Sequence, residues 1–457
     1  MYPLHTCLFD LLKSIRQSFR SSRNSEMFQV TQLLFLTVIV IQSFTVTLEY
    51  DVSRYFSIVW LVILLGIVVG KLVQKKRDFP PLNLPMILLS CGLLVSLAIH
   101  RFEFKLVLNS LQFMIAIYTI YLILYYVVYY EDYNKYFTKT FLSLTAYFYF
   151  VLIFSTVLTA YNLPGAPPVY FWLCDGVDER AQLVYSAGNH FGVYLSVLSL
   201  ISGIYLVWQR KWIHLLTVAL SIYFLIVSGA RLGQIAILLL AVVLIFRFLK
   251  IRMIIAFYLI AFAGVIIYLI IFNQGLYYYV YEFFTSINEK IHLRFIPPEK
   301  YHLLAGREVL WSTLVEMIHD KPLWGHGYYI PFYDFGIDVA FENGKVVGNE
   351  SAPTSESGLL FTVRYGIIAT LFYLFFMVKP LFKKKLDQLD FYHFYVILFA
   401  VCVWILNDSL FISYSIQILF FFFIIACQII DERDRILKLR AEQSLIEVNR
   451  FASMHRR

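Results

Sequence analysis

Charged residues are scarce in this chain: only 15% of its 457 residues are Asp, Glu, Lys or Arg, whereas 60% are hydrophobic. Apolar runs long enough to cross a bilayer recur throughout the sequence. Lipid offers the backbone no hydrogen-bond partner, so each run must be helical. The composition therefore excludes a soluble protein and predicts an all-α polytopic membrane protein.

Cysteine is also sparse: there are five in the chain, and only Cys174 is predicted to reach the outer side of the membrane. A structural disulfide is therefore not expected. The sequence has no Pro-rich or Gly/Ser-rich linker and no internal repeat, which favours one membrane domain with a loop insertion. The outer carboxylates Asp334, Asp338 and Glu342 lack the spacing of a metal site, and we expect neither a metal nor another cofactor.

Twelve apolar stretches predict about twelve transmembrane helices, nine before one large outer loop and three after it. The chain then divides into a tail at 1–28, helices 1–9 within 29–273, the loop at 274–356, helices 10–12 within 357–428, and a second tail at 429–457. The predicted spans are 29–48, 56–73, 83–99, 106–130, 139–161, 187–208, 213–228, 232–248, 253–273, 357–379, 391–406 and 409–428.

The distribution of Lys and Arg predicts the orientation of these spans. Most of the 38 basic residues fall in the two tails and in alternate connections, as in Lys75–Arg77 and Lys383–Lys385. By the positive-inside rule, both termini are cytoplasmic and the loop at 274–356 faces outward. The net charge of +8 then lies where basic residues meet anionic membrane lipid, so it indicates no nucleic-acid partner.

Four stretches on the predicted outer face contain the polar residues that could carry chemistry. In one of them, apolar residues recur at helical spacing from Arg307 to Asp320, which predicts an amphipathic helix on the outer surface. Pro322 and two glycines then end this helix in a turn. The four stretches are 178–190, 228–233, 306–327 and 355–366.

Four arginines in these stretches could bind a diphosphate, because the planar guanidinium donates two parallel hydrogen bonds and stays charged. They would also stabilise the negative charge on a departing diphosphate. Simpler roles remain open: Arg231 would snorkel from a helix end, Arg180 would pair with adjacent carboxylates, and Arg364 would pair with an acidic residue. Arg307 begins a helix, where a cation opposes the helix dipole, and this favours a ligand role.

Two residues are candidate general bases. Glu356 lies where the tenth span begins, and a carboxylate at a membrane boundary tends to have a pKa raised toward neutrality. His326 lies in an accessible Gly-His-Gly turn and could serve as a general base, yet a turn histidine more often fills a polar position. Glu356 is the better candidate of the two.

Taken in order, these stretches resemble the O-antigen polymerase and O-antigen ligase family of bacterial membrane glycosyltransferases. The likeness covers roughly residues 170–380 and depends on order and topology more than on any single motif. The segments that carry it are Arg180 with Ser186–His190, the Ser228–Arg231 turn, Arg307 with Trp311 and the Pro322–Gly327 turn, and Glu356–Gly366.

The resemblance implies a GT-C-like fold in the bacterial inner membrane, with an undecaprenyl-diphosphate-linked oligosaccharide as substrate. The glycan would pass from that lipid to an acceptor, without a metal, during the biosynthesis of lipopolysaccharide O-antigen or capsule. By position, Arg231 and Arg307 look like the family's diphosphate-binding arginines, and Arg180 looks like an additional one. The family also implies a chain-length regulator protein as a partner.

One departure from the family pattern separates the alternatives. Ligases typically have His-Asn where the tenth span begins, whereas this chain has Ser355-Glu356. The difference favours a repeat-unit polymerase over a ligase that passes finished glycan to lipid A core or to protein. A lipid-linked oligosaccharide flippase also needs about a dozen spans, but its charges would follow a central path. Here the charged candidates lie at the outer boundary, which favours an enzyme.

Overall fold

The computed structural model describes residues 27–34, 50–75, 80, 83–160, 194–195, 198–199, 202–203, 206, 212–227, 307–327, 339–342, 345–348, 357–382, 421–422 and 424–437. These residues include seven helices and two strands with defined ends. They are α1 (Tyr50–Gln74), α2 (Leu84–Ile99), α3 (Phe104–Tyr130), α4 (Tyr133–Ala160), α5 (Trp212–Val227), α6 (Arg307–Asp320), β1 (Val339–Glu342), β2 (Lys345–Gly348) and α7 (Ser357–Phe382).

Six predicted spans coincide with α1 to α5 and α7. In the described part of the chain, three stretches are long and apolar enough to cross a membrane, namely Phe104–Tyr130, Lys135–Ile153 and Gly358–Lys379. Helices α1, α2 and α5 contain shorter apolar stretches. The other predicted spans lie wholly or partly outside the described residues, so the number twelve and the GT-C-like arrangement stay predictions.

Helix α2 packs along α7, and a glycine allows the close approach. A Cβ atom on Gly92 would lie 2.9 Å from Cδ2 of Phe372 and 3.3 Å from Cα of Ala369, both on α7. Any larger residue at position 92 would therefore push the two helices apart. The Pro85 ring falls in the first turn of α2, where the missing N–H costs no helical hydrogen bond.

Helix α3 contacts α7 through aromatic rings and a hydroxyl pair. The ring centroid of Phe113 lies 5.9 Å from that of Tyr373 and 5.4 Å from that of Phe421. Nearer the start of both helices, the Tyr365 hydroxyl lies 3.1 Å from Oγ of Ser110. Because Tyr365 is buried, this hydrogen bond satisfies a hydroxyl that would otherwise be costly to bury.

Polar contacts cluster at the two opposite ends of these helices. At one end, Asn83 Nδ2 donates to Gln428 Oε1 (2.9 Å), and Lys379 Nζ donates to Asn83 Oδ1 (2.8 Å). At the other end, His100 Nε2 lies 2.9 Å from the Trp324 carbonyl oxygen. Each cluster joins residues that the predicted spans place on one side of the membrane. Which side faces the cytoplasm stays a prediction.

The predicted outer loop contains a small antiparallel hairpin in addition to α6. Strand β1 pairs with β2, with Val339 opposite Gly348 and Glu342 opposite Lys345. Asn343 and Gly344 connect the strands in the sequence, and Asn-Gly is the dipeptide that two-residue hairpin turns favour. The described structure is thus helical in the predicted spans, with one hairpin added in the loop.

Candidate functional site

The structure describes three of the six predicted site residues. Arg307 is the first residue of α6, His326 lies in the turn that follows α6, and Arg364 is the eighth residue of α7. The other three, Arg180, Arg231 and Glu356, lie outside the described residues. Glu356 directly precedes the first residue of α7 in the sequence.

Helix α6 spans the range that was predicted to be helical, and it packs its apolar face on α7. Leu314 and Met317 are fully buried against Leu360 and Val363, while Val315 on the other face is 42% exposed. This face-by-face difference is what the apolar spacing predicted. The packing holds the end of α6 beside the first two turns of α7, so the residues after α6 must turn back at that helix.

Helix α7 is broken at Gly366, where the backbone has φ 80° and ψ 171°. In an unbroken helix, the Ile367 N–H would donate to the Val363 carbonyl. Here it donates instead to the Pro322 carbonyl at 2.8 Å. Irregular backbone within a membrane span is tolerated where it is buried in protein or lines a cavity. The backbone groups freed by the break form hydrogen bonds with another segment, residues 321–327. We name this segment the docked turn.

The docked turn also supplies N–H donors to two carbonyls of α7 beside the break. The Val363 carbonyl, released from Ile367, accepts from the His326 N–H at 2.7 Å. The Arg364 carbonyl accepts from the Gly327 N–H at 3.1 Å. Three backbone hydrogen bonds thus join the docked turn to α7. These hydrogen bonds hold the backbone of α7 in place at Arg364.

Two glycines permit this contact. Gly325 has φ 73°, and a Cβ atom there would lie 2.5 Å from the Val363 carbonyl oxygen. A Cβ atom on Gly366 would overlap the Leu323 carbonyl and lie 2.5 Å from the Trp324 nitrogen. All of these neighbours are backbone atoms, which have no rotamer by which to move away. Glycine is required at both positions because the two backbones touch.

The His326 imidazole is buried against the end of α6. Its Nε2 lies 2.9 Å from the Met317 carbonyl oxygen and 3.7 Å from Oδ2 of Asp320. A carbonyl oxygen only accepts, so Nε2 carries a proton and donates to one of the last carbonyls of the helix. The same carbonyl also accepts from the N–H of Lys321, the residue that follows α6, at 3.2 Å. The His326 side chain therefore joins the far end of the docked turn to the last turn of α6.

Two further residues reach the docked turn from the loop between α2 and α3. His100 contacts the Trp324 carbonyl, and the Glu103 carboxylate lies against Gly327. Sequence reasoning missed both. A signal was present, because both residues lie in the short connection between two predicted spans, on the predicted outer face. Among the described residues, no three His, Cys, Asp or Glu side chains are grouped to hold a metal ion.

Residues 216–374 match the family model of the O-Antigen ligase. The chain carries an O-antigen ligase domain. This confirms the family predicted from the four stretches. No curated protein and no solved structure matches the chain. The matched residues and the apolar helices indicate a membrane protein of the O-antigen ligase and polymerase type.

The O-antigen ligase domain contains five of the six predicted site residues. Arg231, Arg307, His326, Glu356 and Arg364 all fall within residues 216–374, whereas Arg180 precedes them. The same segment includes the docked turn and the break in α7. The contact between these two parts is therefore internal to the O-antigen ligase domain, while His100 and Glu103 reach it from outside.

Proposed function

We propose that this protein is a repeat-unit polymerase for O-antigen or capsule polysaccharide in the bacterial inner membrane. It transfers the growing glycan from undecaprenyl diphosphate to the non-reducing end of a fresh lipid-linked repeat unit. The observation that carries the proposal is the match to the O-antigen ligase family across residues 216–374, which include five of the six candidate side chains.

The transfer joins two glycans and releases a diphosphate. A hydroxyl oxygen of the acceptor sugar attacks the anomeric carbon of the donor glycan and forms the new glycosidic bond. The bond from that carbon to the diphosphate oxygen breaks, and the diphosphate leaves with the electron pair. The hydroxyl proton passes to a base. The protein must therefore stabilise negative charge at one point and accept a proton at another.

Arginines are the proposed stabilisers of the leaving diphosphate. Arg231 and Arg307 would hold its oxygens through paired N–H groups, with Arg180 and Arg364 as further donors. The placement of Arg364 supports this assignment, because its backbone is held against the docked turn and its side chain is only half-buried. A cation that is already in place when charge develops needs no reorganisation during the reaction.

Glu356 is the proposed base. It directly precedes α7, whose eighth residue is Arg364, so both belong to the same outer segment of the chain. The contacts of His326 support this choice over the histidine, because Nε2 is engaged with the Met317 carbonyl. We propose that His326 mainly holds the end of α6 in place.

A ligase is the second candidate within the family, since the matching family model is itself that of a ligase. It would pass the finished glycan to lipid A core or to protein. Ser355-Glu356 in place of a ligase's His-Asn favours the polymerase. A flippase for lipid-linked oligosaccharide is the rival from another class, and the family match favours an enzyme over it.

Glycan analysis of a deletion strain tests the proposal. We expect the surface glycan to stop at one repeat when the gene is deleted, and long chains to return with the parent gene. Long chains stranded on the lipid carrier would indicate a ligase. Single repeats trapped in the inner leaflet would indicate a flippase.

Variants of single arginines then test the mechanism in the same strain. Arg231→Ala and Arg307→Ala should leave the one-repeat glycan at a normal amount of membrane protein. Arg54→Ala is a matched control, because Arg54 is predicted on the same face but precedes the matched segment. Normal chains from both site variants would overturn the arginine assignment.

A further inference from the structure

The loop after α2 has a strained conformation with no glycine to relieve it. Helix α2 ends with Phe102 N–H donating to the Leu97 carbonyl (2.8 Å) and Arg101 N–H donating to the Ala98 carbonyl (3.2 Å). This pair of hydrogen bonds is the Schellman motif, which commonly ends a helix and usually has glycine at the position of positive φ. Here Arg101 and Phe102 both have positive φ, 52° and 55°. Such strain persists only where the surroundings enforce it.

The strained loop directs His100 onto the docked turn. His100 Nε2 lies 2.9 Å from the Trp324 carbonyl oxygen, and Oγ of Ser96 lies 3.4 Å from the same oxygen. The carbonyl only accepts, so the imidazole is the donor at Nε2. His100 is thus a side-chain hydrogen-bond donor to the docked turn from outside the O-antigen ligase domain.

Glu103 covers the last residue of the docked turn. A Cβ atom on Gly327 would lie 3.0 Å from both carboxylate oxygens of Glu103 and 3.1 Å from Nδ1 of His100. The carboxylate and the imidazole therefore lie together against the bare Cα of this glycine. Gly327 also has φ 83°, which a larger residue would rarely adopt.

The docked turn is consequently held from two sides. On one side, the Val363 and Arg364 carbonyls accept its N–H groups. On the other side, His100 and Glu103 contact it from the loop after α2, through the Trp324 carbonyl and Gly327. A shift of the docked turn would strain or break the 3.1 Å hydrogen bond from the Gly327 N–H to the Arg364 carbonyl and so disturb the backbone at Arg364.

We propose that His100 and Glu103 are positioning residues of the transfer site. They hold the docked turn in the break of α7 and so fix the placement of Arg364, which would bind the departing diphosphate. This inference rests on the proposed function. It assigns a role to a loop that lies outside the matched residues 216–374.

The test compares His100→Ala with His100→Gln in the purified full-length protein, using a lipid-linked repeat unit as donor and acceptor. The Gln amide nitrogen can replace Nε2 as the donor to the Trp324 carbonyl, whereas alanine cannot. We expect the alanine variant to lose about tenfold or more in kcat, with a smaller change in KM, since small misplacements of a catalytic group are costly. The glutamine variant should recover most of this loss. Arg101→Ala is the control, because Arg101 is exposed on the same strained loop.

A second readout follows the docked turn itself and needs no activity. Leu323 is 54% exposed, so a nitroxide can be attached at Leu323→Cys in a chain whose five native cysteines are replaced. We expect narrower spectral lines, and hence greater mobility, with His100→Ala, and lines like the parent's with His100→Gln.

The combined results separate the two proposals. Unchanged lines and unchanged kcat in His100→Ala would overturn the positioning role, as would a glutamine variant as defective as the alanine variant. A kcat loss that only follows a lower melting temperature would also overturn it. Line narrowing in a protein that transfers no glycan even as the parent would instead refute the proposed function and leave the contact standing.

Discussion

Replacing Gly366 with alanine would place a Cβ atom where the docked turn now lies. That atom would overlap the Leu323 carbonyl and lie 2.5 Å from the Trp324 nitrogen. Alanine would also have to adopt φ 80° and ψ 171°, a conformation almost confined to glycine. We expect α7 to close into a continuous helix instead and to expel the docked turn.

The loss of stability depends on which of two conformations the variant adopts. Keeping the broken conformation with alanine costs about 1–3 kcal/mol for the backbone alone. Expelling the docked turn loses three backbone hydrogen bonds, each with a net value of about 1 kcal/mol, and a closed helix regains part of this sum. The variant adopts the conformation of lower cost and should therefore lose about 1–3 kcal/mol, a large part of the stability of a marginal fold.

The assay combines glycan analysis with thermal unfolding of the purified protein. We expect Gly366→Ala to reach the membrane, to unfold at a lower temperature and to leave the glycan at one repeat. Gly70→Ala is the matched control, because Gly70 lies in α1 and a Cβ atom there would have no neighbour within 4 Å. That control should be neutral or slightly stabilising, since alanine is the better helix former.

A Gly366→Ala variant with the melting temperature and chain length of Gly70→Ala would refute this reasoning. Such a result would mean that α7 tolerates a side chain at its break, so that the docked turn does not occupy it. A loss of stability with normal chain length would refute only the link between the docked turn and transfer.

Three other substitutions test separate contacts. Asn83→Leu should lower the melting temperature with KM unchanged, because Gln428 loses a buried donor worth about 1–3 kcal/mol. His326→Gln should remain active and His326→Ala should not, if Nε2 serves to cap Met317; a dead glutamine variant with parent-like stability would instead indicate a base. Tyr365→Phe should cost about 1 kcal/mol of unfolding free energy, and no change would contradict the hydrogen bond to α3.

The helices could be predicted because their signal is local. Apolar length alone identified the spans that α1 to α5 and α7 occupy, since a backbone in lipid must pair within its own segment. Helix α6 was predicted from Arg307 to Asp320, and the structure has the same bounds. Its apolar spacing is a property of consecutive residues, so no knowledge of the partner helix was needed.

The break in α7 could not be predicted, because it depends on a segment about forty residues earlier in the chain. Gly366 within an apolar run is common in membrane helices and usually causes no break. The three backbone hydrogen bonds between the docked turn and α7 explain its conformation. The same holds for His100, whose target is distant in sequence.

The candidate site was predicted in part. His326 and Arg364 were singled out separately, and the structure brings their backbones together through the docked turn. Arg180, Arg231 and Glu356 lie outside the described residues, so their roles stay predictions. The hairpin of β1 and β2 had a local signal in Asn343-Gly344 that was not used.

Release of the lipid diphosphate by purified protein tests the central claim most directly. The full-length protein in vesicles would be given one lipid-linked repeat unit and no other acceptor. A polymerase predicts glycans of two or more repeats on the lipid, with one undecaprenyl diphosphate released for each bond formed. Release only after lipid A core is added, with no lengthening of the lipid-linked glycan, would contradict it.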